Sequence, residues 1–273
     1  MGSARKRPPG VGKGRILMLF KAKTLSGYRL DSLDGEIGHV KEFYFDDQYW
    51  GIRYLVADTG SWLTGRKVLI SPYALDNVSE VDHHIKIDLT KRQIEDSPSI
   101  VTNEPVSRQF EDDYYGYYGW PVYWGGPYMW GYYPNVIRDH EKWGQPTDRE
   151  KAWDPHLRST NDVRSHLIEA SDGEIGHVSD FIIDDKSWAI RYLVVNTKNW
   201  MPGKHVLIAP HWIKQISWGQ SKVFVNLTRD AIEHAPEYTS TSALTRDYEA
   251  ELHRHYDRPT YWSDDPVALE YSR

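Results

Sequence analysis

The chain has 273 residues, 40% of them apolar and 26% charged, with a formal net charge of −6 and no cysteine. That length allows one to three domains with cores of their own, and the charge argues against a general nucleic-acid binder, which needs a clustered basic surface. Without cysteine there is no disulfide, thiolate nucleophile or thiolate metal ligand, and no apolar run reaches the 18 residues expected of a membrane-spanning helix.

Residues 1–14 read as a disordered basic tail. Arg5, Lys6, Arg7, Lys13 and Arg15 are interspersed with Gly and Pro, and the apolar run at residues 16–20 is too short for a signal-peptide core. This run leads into a first strand. Beyond it the chain repeats itself. The heptapeptide DGEIGHV stands at residues 34–40 and again, 138 residues later, at 172–178. The same offset matches Asp46, Asp47 and Trp50 to Asp184, Asp185 and Trp188, and the strand IRYLV at 52–56 to 190–194. It continues through Val68, Leu69, Ile70 and Pro72 to Pro98, whose counterparts run to Pro236. Self-similarity at a fixed offset marks a duplicated structural unit, and two copies this far apart are not a solenoid.

Within each copy the elements read as β. Strands are expected at residues 28–30, 38–45, 52–57, 67–70, 78–81 and 85–89, and at their counterparts 166–168, 176–183, 190–195, 205–208, 216–218 and 223–227. The Asp-Asp pairs break the second strand into a turn. Thr90 and Thr228 stand where helix N-caps belong, each opening a short helical turn. Six short strands in so few residues bury their faces best by curling into a small closed or nearly closed barrel, which also removes exposed edges.

The ordered set D-G-E-I-G-H-V, turn, I-R-Y-L-V, V-L-I-x-P, present twice, resembles the PRC-barrel. This is the domain of the cytoplasmic part of the photosynthetic reaction-centre H subunit and of the C-terminal half of the ribosome maturation factor RimM. The resemblance implies a mainly β fold of two small PRC-type β-barrels in tandem, with an aromatic-rich linker and a C-terminal α-helix. The boundaries expected are 15–98 for the first barrel, 99–161 for the linker, 162–238 for the second barrel and 239–273 for the helix and tail. The resemblance also implies docking rather than catalysis, and no catalytic residue or cofactor is carried over.

The residues give the same direction. Phosphate-binding, nucleophile-elbow and zinc-protease motifs are missing from the sequence. His39 and His177 share a repeat position, and His83-His84 has no second copy; each reads as a local strand or turn residue before a metal ligand. Asp46-Asp47 and Asp184-Asp185 lack the further oxygen ligands of a calcium loop. Arg53 and Arg191 lie in otherwise apolar strands and need a partner; Glu36 and Glu174 are the expected ion-pair partners.

The linker is the least ordinary part. From Glu111 to Pro134 about half the positions are aromatic, with Gly or Pro in most gaps, which argues against a regular helix. Tyr114, Tyr115, Tyr117, Tyr118, Trp120, Tyr123, Trp124, Tyr128 and Trp130 are the candidate partner-binding residues. They could pack between the barrels, form an exposed surface for a partner or a second copy, or lie at a membrane interface. Residues 239–256 read as a helix capped by Ser240 or Thr241, with Leu244, Tyr248 and Leu252 as its apolar stripe. The function expected is a non-catalytic, cytoplasmic scaffold docking protein partners, as an intramolecular pseudo-dimer. Two alternatives stand beside it: an H-subunit-like accessory peripheral to a membrane and acting on quinone-linked electron or proton transfer, and a RimM-like assembly factor.

Overall fold

The computed structural model describes residues 18–64, 66–101, 106–120, 122, 156–197, 204–239 and 244–262. Each repeat builds one antiparallel-rich sheet around a 12-residue strand. In the first repeat this is β3 (Gly35–Asp46), flanked by β2 (Arg29–Ser32) and β4 (Ile52–Asp58), with β5 (Arg66–Ile70), β6 (Leu75–Ser79), β7 (His84–Ile87) and β8 (Ile100–Val101) completing the path. In the second it is β11 (Gly173–Asp184), with β10 (Leu167–Ala170), β12 (Ile190–Asn196), β13 (His205–Ile208), β14 (Ile213–Ser217) and β15 (Lys222–Val225). The strand orders are β6-β7-β2-β3-β4-β5-β8 and β13-β12-β11-β10-β15-β14. Neither path returns to its start among the described residues, so these sheets are not closed barrels. Short 3-10 turns at Pro72–Ala74 and Pro210–Trp212 link β5 to β6 and β13 to β14 where a closed barrel would have a strand pair, proline having no N–H to give a ladder.

The long strands bend because they carry irregularities at matching places. The register of β3 against β4 shifts between Val40 and Glu42 and again between Tyr44 and Phe45, and β11 shifts against β12 at the corresponding residues. Such extra residues kink a strand and increase its twist. The second glycine of each heptapeptide sits where the chains close most tightly. A Cβ on Gly38, at φ +128°, would lie 2.0 Å from the Asp58 carbonyl oxygen, and one on Gly176 would lie 2.0 Å from that of Asn196. The threonine caps form as read: Thr90 accepts from Gln93 N at α2 (Lys91–Glu95), and Thr228 from Ala231 N at α5 (Arg229–Glu233). The corresponding strand moves in both repeats: the one expected at 216–218 runs from Ile213 to Ser217. The strand expected at 78–81 starts earlier, at Leu75, and Val81 is left in the following turn, 90% exposed.

The two repeats exchange their leading segments. β1 (Leu19–Lys21) pairs antiparallel with β11 of the second repeat, and its counterpart β9 (Leu157–Ser159) pairs with β3 of the first. Each is followed by one turn of helix, α1 (Ala22–Leu25) or α4 (Thr160–Val163), that leads back to its own sheet. The registers correspond residue for residue: Leu19↔Asp184 and Phe20↔Ile183 on one side, Leu157↔Asp46 and Arg158↔Phe45 on the other. Asp185 N donates to Met18 O, and Asp47 N to His156 O.

The seam continues at the turns. Ile52 N donates to Trp188 O at 2.8 Å, Ile190 N to Trp50 O at 2.7 Å, and Gly51 bridges Ala189. Trp50 and Trp188 adopt left-handed φ of 58° and 57°, a region that bulky side chains rarely enter unless their surroundings enforce it. Phe45 lies 5.7 Å from Phe181 and Phe43 lies 6.2 Å from Trp188, ring centre to ring centre. The buried apolar side chains of both sheets accordingly form one continuous core.

A second, smaller core lies on the outer face of the first sheet, and the chain there departs from expectation. The stretch taken to resist helix formation contains α3 (Arg108–Tyr118). Ser107 caps it by accepting from Phe110 N, Gly116 is accommodated inside it, and Gly119 ends it in a left-handed conformation. α6 (Arg246–His255) stands 138 residues further on, over the second sheet, with Thr245 as its cap. The cap is therefore later than the Ser240 or Thr241 expected, and those two lie outside the described residues. A helix over the outer face of each sheet explains why IRYLV is buried on both sides.

A cleft between the repeats and the polar groups behind it

The exchanged strand β9 and the β3–β4 turn bring residues of both repeats to one open cleft of about 680 Å³. One wall is Asp47, Tyr49 and Trp50 of the first repeat, with His156 and Arg158 from the exchanged strand. The other is Arg191 on β12, His211 on the 3-10 turn, Lys214 and Ile216 on β14, then Trp218 and Tyr261. Asp47 is the only carboxylate among the described residues lining it. It is engaged twice, at 2.8 Å by His156 Nδ1 and at 3.1 Å by Arg158 Nε. Burial raises the Asp47 carboxyl above the ordinary range, against the pull of these two neighbours. The guanidinium of Arg158 lies 4.3 Å from the Trp218 ring centre, and that of Arg191 lies 4.1 Å from Tyr261, distances at which ring faces attract cations.

His211 stands exposed at the rim. Its imidazole is pushed down to about 4, by desolvation first and then by His253, Arg191 and Arg258.

Behind this wall β12 meets α6. The Tyr192 hydroxyl donates to Glu249 Oε1 at 3.0 Å and lies 3.0 Å from His253 Nε2. Tyr261 also donates to Glu249, at 2.9 Å, and His253 Nδ1 is 2.8 Å from the Pro259 carbonyl oxygen. Nδ1–H donating to that carbonyl leaves Nε2 as an acceptor. Burial raises the Glu249 carboxyl and lowers the His253 imidazole. Both shifts favour the uncharged form of each group, and the single Tyr192 proton serves one of the two at a time. The first repeat keeps half of this arrangement: Tyr54 donates to Glu111 Oε1 at 2.9 Å, and Tyr115 stands where His253 would be.

A PRC-barrel domain model matches residues 21–94 and 165–232, more than half of the chain. The chain belongs to the PRC-barrel family. Among curated proteins, none matches it. The two matched segments are the two repeats read from the sequence, so the tandem PRC-barrel arrangement stands.

The PRC-barrel repeats place the residues singled out in the sequence unevenly. Arg53 and Arg191 are buried in ion pairs, but not with the glutamates. Arg53 Nη2 meets Asp46 Oδ2 at 3.2 Å, and Arg191 meets Asp184 Oδ2 through Nη2 at 2.7 Å and Nε at 3.0 Å. Glu36 and Glu174 sit exposed near the start of the long strands, Glu36 3.9 Å from Arg29. The reason is geometric: the arginine strand turns straight back from the Asp-Asp turn, which places the first aspartate beside it. The same aspartates shape their turns, Asp46 Oδ1 accepting from Gln48 N and Tyr49 N, and Asp184 Oδ1 from Lys186 N and Ser187 N.

Tyr114 and Tyr115, expected to meet a partner, are buried against the first sheet at 1% and 0% exposure. Tyr114 donates to Leu69 O at 2.9 Å, and Tyr115 lies 3.3 Å from Ser71 Oγ. They face inward because α3 directs positions 111, 114, 115 and 118 to one side. Tyr117 is exposed at 44%, while Tyr118 and Trp120 stack on each other at 4.3 Å and are half-buried. Tyr123, Trp124, Tyr128 and Trp130 lie outside the described residues, as does the basic tail. His39 is exposed on β3, and His84 faces Asp31 at 3.6 Å. No cluster of three or more His, Asp or Glu suited to a metal occurs among the described residues. No described helix is long and apolar enough to cross a membrane.

Sequence reading missed the cleft, helix α3 and its correspondence with the expected C-terminal helix α6. A signal for the helices exists: Glu111 and Glu249 keep the 138-residue offset, as does the tetrapeptide Pro-x-Tyr-Trp at 121–124 and 259–262.

Proposed function

We propose that this tandem PRC-barrel protein is a non-catalytic scaffold that docks protein partners on a paired, internally locked body. The observation that supports it most is the reciprocal strand exchange. It fixes two sheets in one orientation and lets the duplicated surfaces diverge. At equivalent positions of the last turn and strand, the second repeat carries Lys214 and Trp218 where the first carries Asp76 and Glu80. Faces of opposite charge on one body suit a protein that holds two different partners.

The test is capture of the tagged chain from its own host, with soluble and membrane fractions kept apart. It is run beside a chain whose charges are exchanged by Lys214→Glu and Asp76→Lys. Soluble proteins that depend separately on one or the other charge are the expected result. A membrane complex of redox subunits, indifferent to both changes, would replace this reading with that of a membrane accessory, and ribosomal precursors would replace it with an assembly role.

A further inference from the structure

We infer that the cleft between the repeats is a binding site for a small planar aromatic anion, a ring carrying a carboxylate or a similar single-charge group. The cleft measures about 680 Å³, within the size range of sites that enclose one small molecule and well short of a surface for a folded partner. Its lining joins aromatic side chains at Tyr49, Trp50 and Trp218 with basic ones at Arg158, Arg191 and Lys214. Two of these cations are already paired, Arg158 with Asp47 and Arg191 with Asp184, so Lys214, exposed at the mouth, is the cation this lining offers to a ligand.

The duplication supplies an internal control. The positions of His156, Arg158, His211, Lys214 and Trp218 are held in the first repeat by Met18, Phe20, Tyr73, Asp76 and Glu80. The fold therefore does not require a basic, indole-bearing set at these places. Four of the five changes exchange a neutral or acidic side chain for a cation or a titratable base, and the fifth replaces a carboxylate with an indole. Ring stacking on an indole and a charge-assisted hydrogen bond to a lysine or arginine are the interactions such a set offers.

The experiment uses the full chain and a matched pair of probes, 1-naphthoate and its uncharged isostere 1-naphthamide. Binding is followed by the indole N–H signals in nitrogen-15 NMR. The expected result is saturable binding of 1-naphthoate, at about millimolar or tighter given the size of the ligand, that shifts the Trp218 and Trp50 indoles. The amide should bind about tenfold more weakly, the amount one charge-assisted hydrogen bond supplies. Lys214→Glu, an exposed change on β14, should abolish the preference for the anion, and Lys214→Arg should keep it. Equal binding of the two probes, shifts confined to indoles outside the cleft, an unchanged preference in Lys214→Glu, or no saturation by either probe would each overturn the inference. None of these outcomes depends on whether the chain docks a protein partner.

Discussion

Replacing Asp184 with alanine is expected to destabilise the protein by about 3–5 kcal/mol, because it strands a buried guanidinium without its counter-charge. Asp184 is 1% exposed and Arg191 9% exposed. One carboxylate oxygen takes both arginine contacts, and the other holds the turn through Lys186 N and Ser187 N. Burial alone would raise this carboxyl; the Arg191 charge and the turn amides outweigh it and hold the group below its ordinary 3.8. A depressed carboxyl contributes stability that is complete above the unfolded-state value and is lost as pH falls through the folded-state value. Denaturant unfolding of wild type and Asp184→Ala should therefore differ most at neutral pH and converge as the pH drops below about 3.8. Asp184→Asn keeps the shape and an acceptor for the turn but not the charge, and should fall between the two. A small, pH-independent loss in Asp184→Ala would mean that the arginine finds other partners and that the pair is not what holds the turn.

The glycines of the repeated heptapeptide carry the other large effect. Gly38→Ala or Gly176→Ala should each cost about 3 kcal/mol or more, at the severe end for single substitutions. The new methyl would meet a backbone carbonyl at 2.0 Å, with the carbonyl carbon and the next Cα within about 3 Å. Backbone atoms of a paired strand cannot swing aside as a side-chain tip would, and the positive φ adds strain of its own. Gly27 and Gly60 are the matched controls, since both have positive φ and open space around the would-be Cβ. Alanine there should cost only the conformational strain, about 1 kcal/mol. Urea unfolding of the four variants separates close approach from dihedral preference.

These two cases also show what the sequence makes legible. The heptapeptide glycines and the buried arginines are visible because the chain states them twice, at one offset, and the duplication rules out accident. The strands follow from alternation and β-branching, as at Ile85 to Leu89, where each inward residue is followed by a polar one. The arginine partner is not legible because sequence distance favours no carboxylate; only the tight return of β4 beside the Asp-Asp turn brings Asp46 near Arg53, as β12 does for Asp184 and Arg191. Helix α3 is hidden because Gly116 and Gly119 read as breakers. One is tolerated within an 11-residue helix anchored by buried tyrosines, and the other is its terminator. The exchange of β1 and β9 has no local signature at all. A three-residue strand reads the same whichever sheet it joins, and its destination is set by the long-range packing of Phe45, Phe181 and the two left-handed tryptophans. The cleft inherits that opacity, being assembled from both repeats and from the exchanged strand.

The account rests most on that exchange, and cutting the chain tests it directly. A protease site is introduced within residues 135–150, between the repeats, and the fully cut protein consists of two pieces, each bearing one exchanged segment. If β1 and β9 are exchanged as described, the two pieces should stay together, migrate as the uncut chain does and unfold in one shared transition. Two folded pieces that separate on sizing and melt independently would show that each repeat keeps its own first strand, and would contradict the paired body on which the docking role and the composite cleft depend.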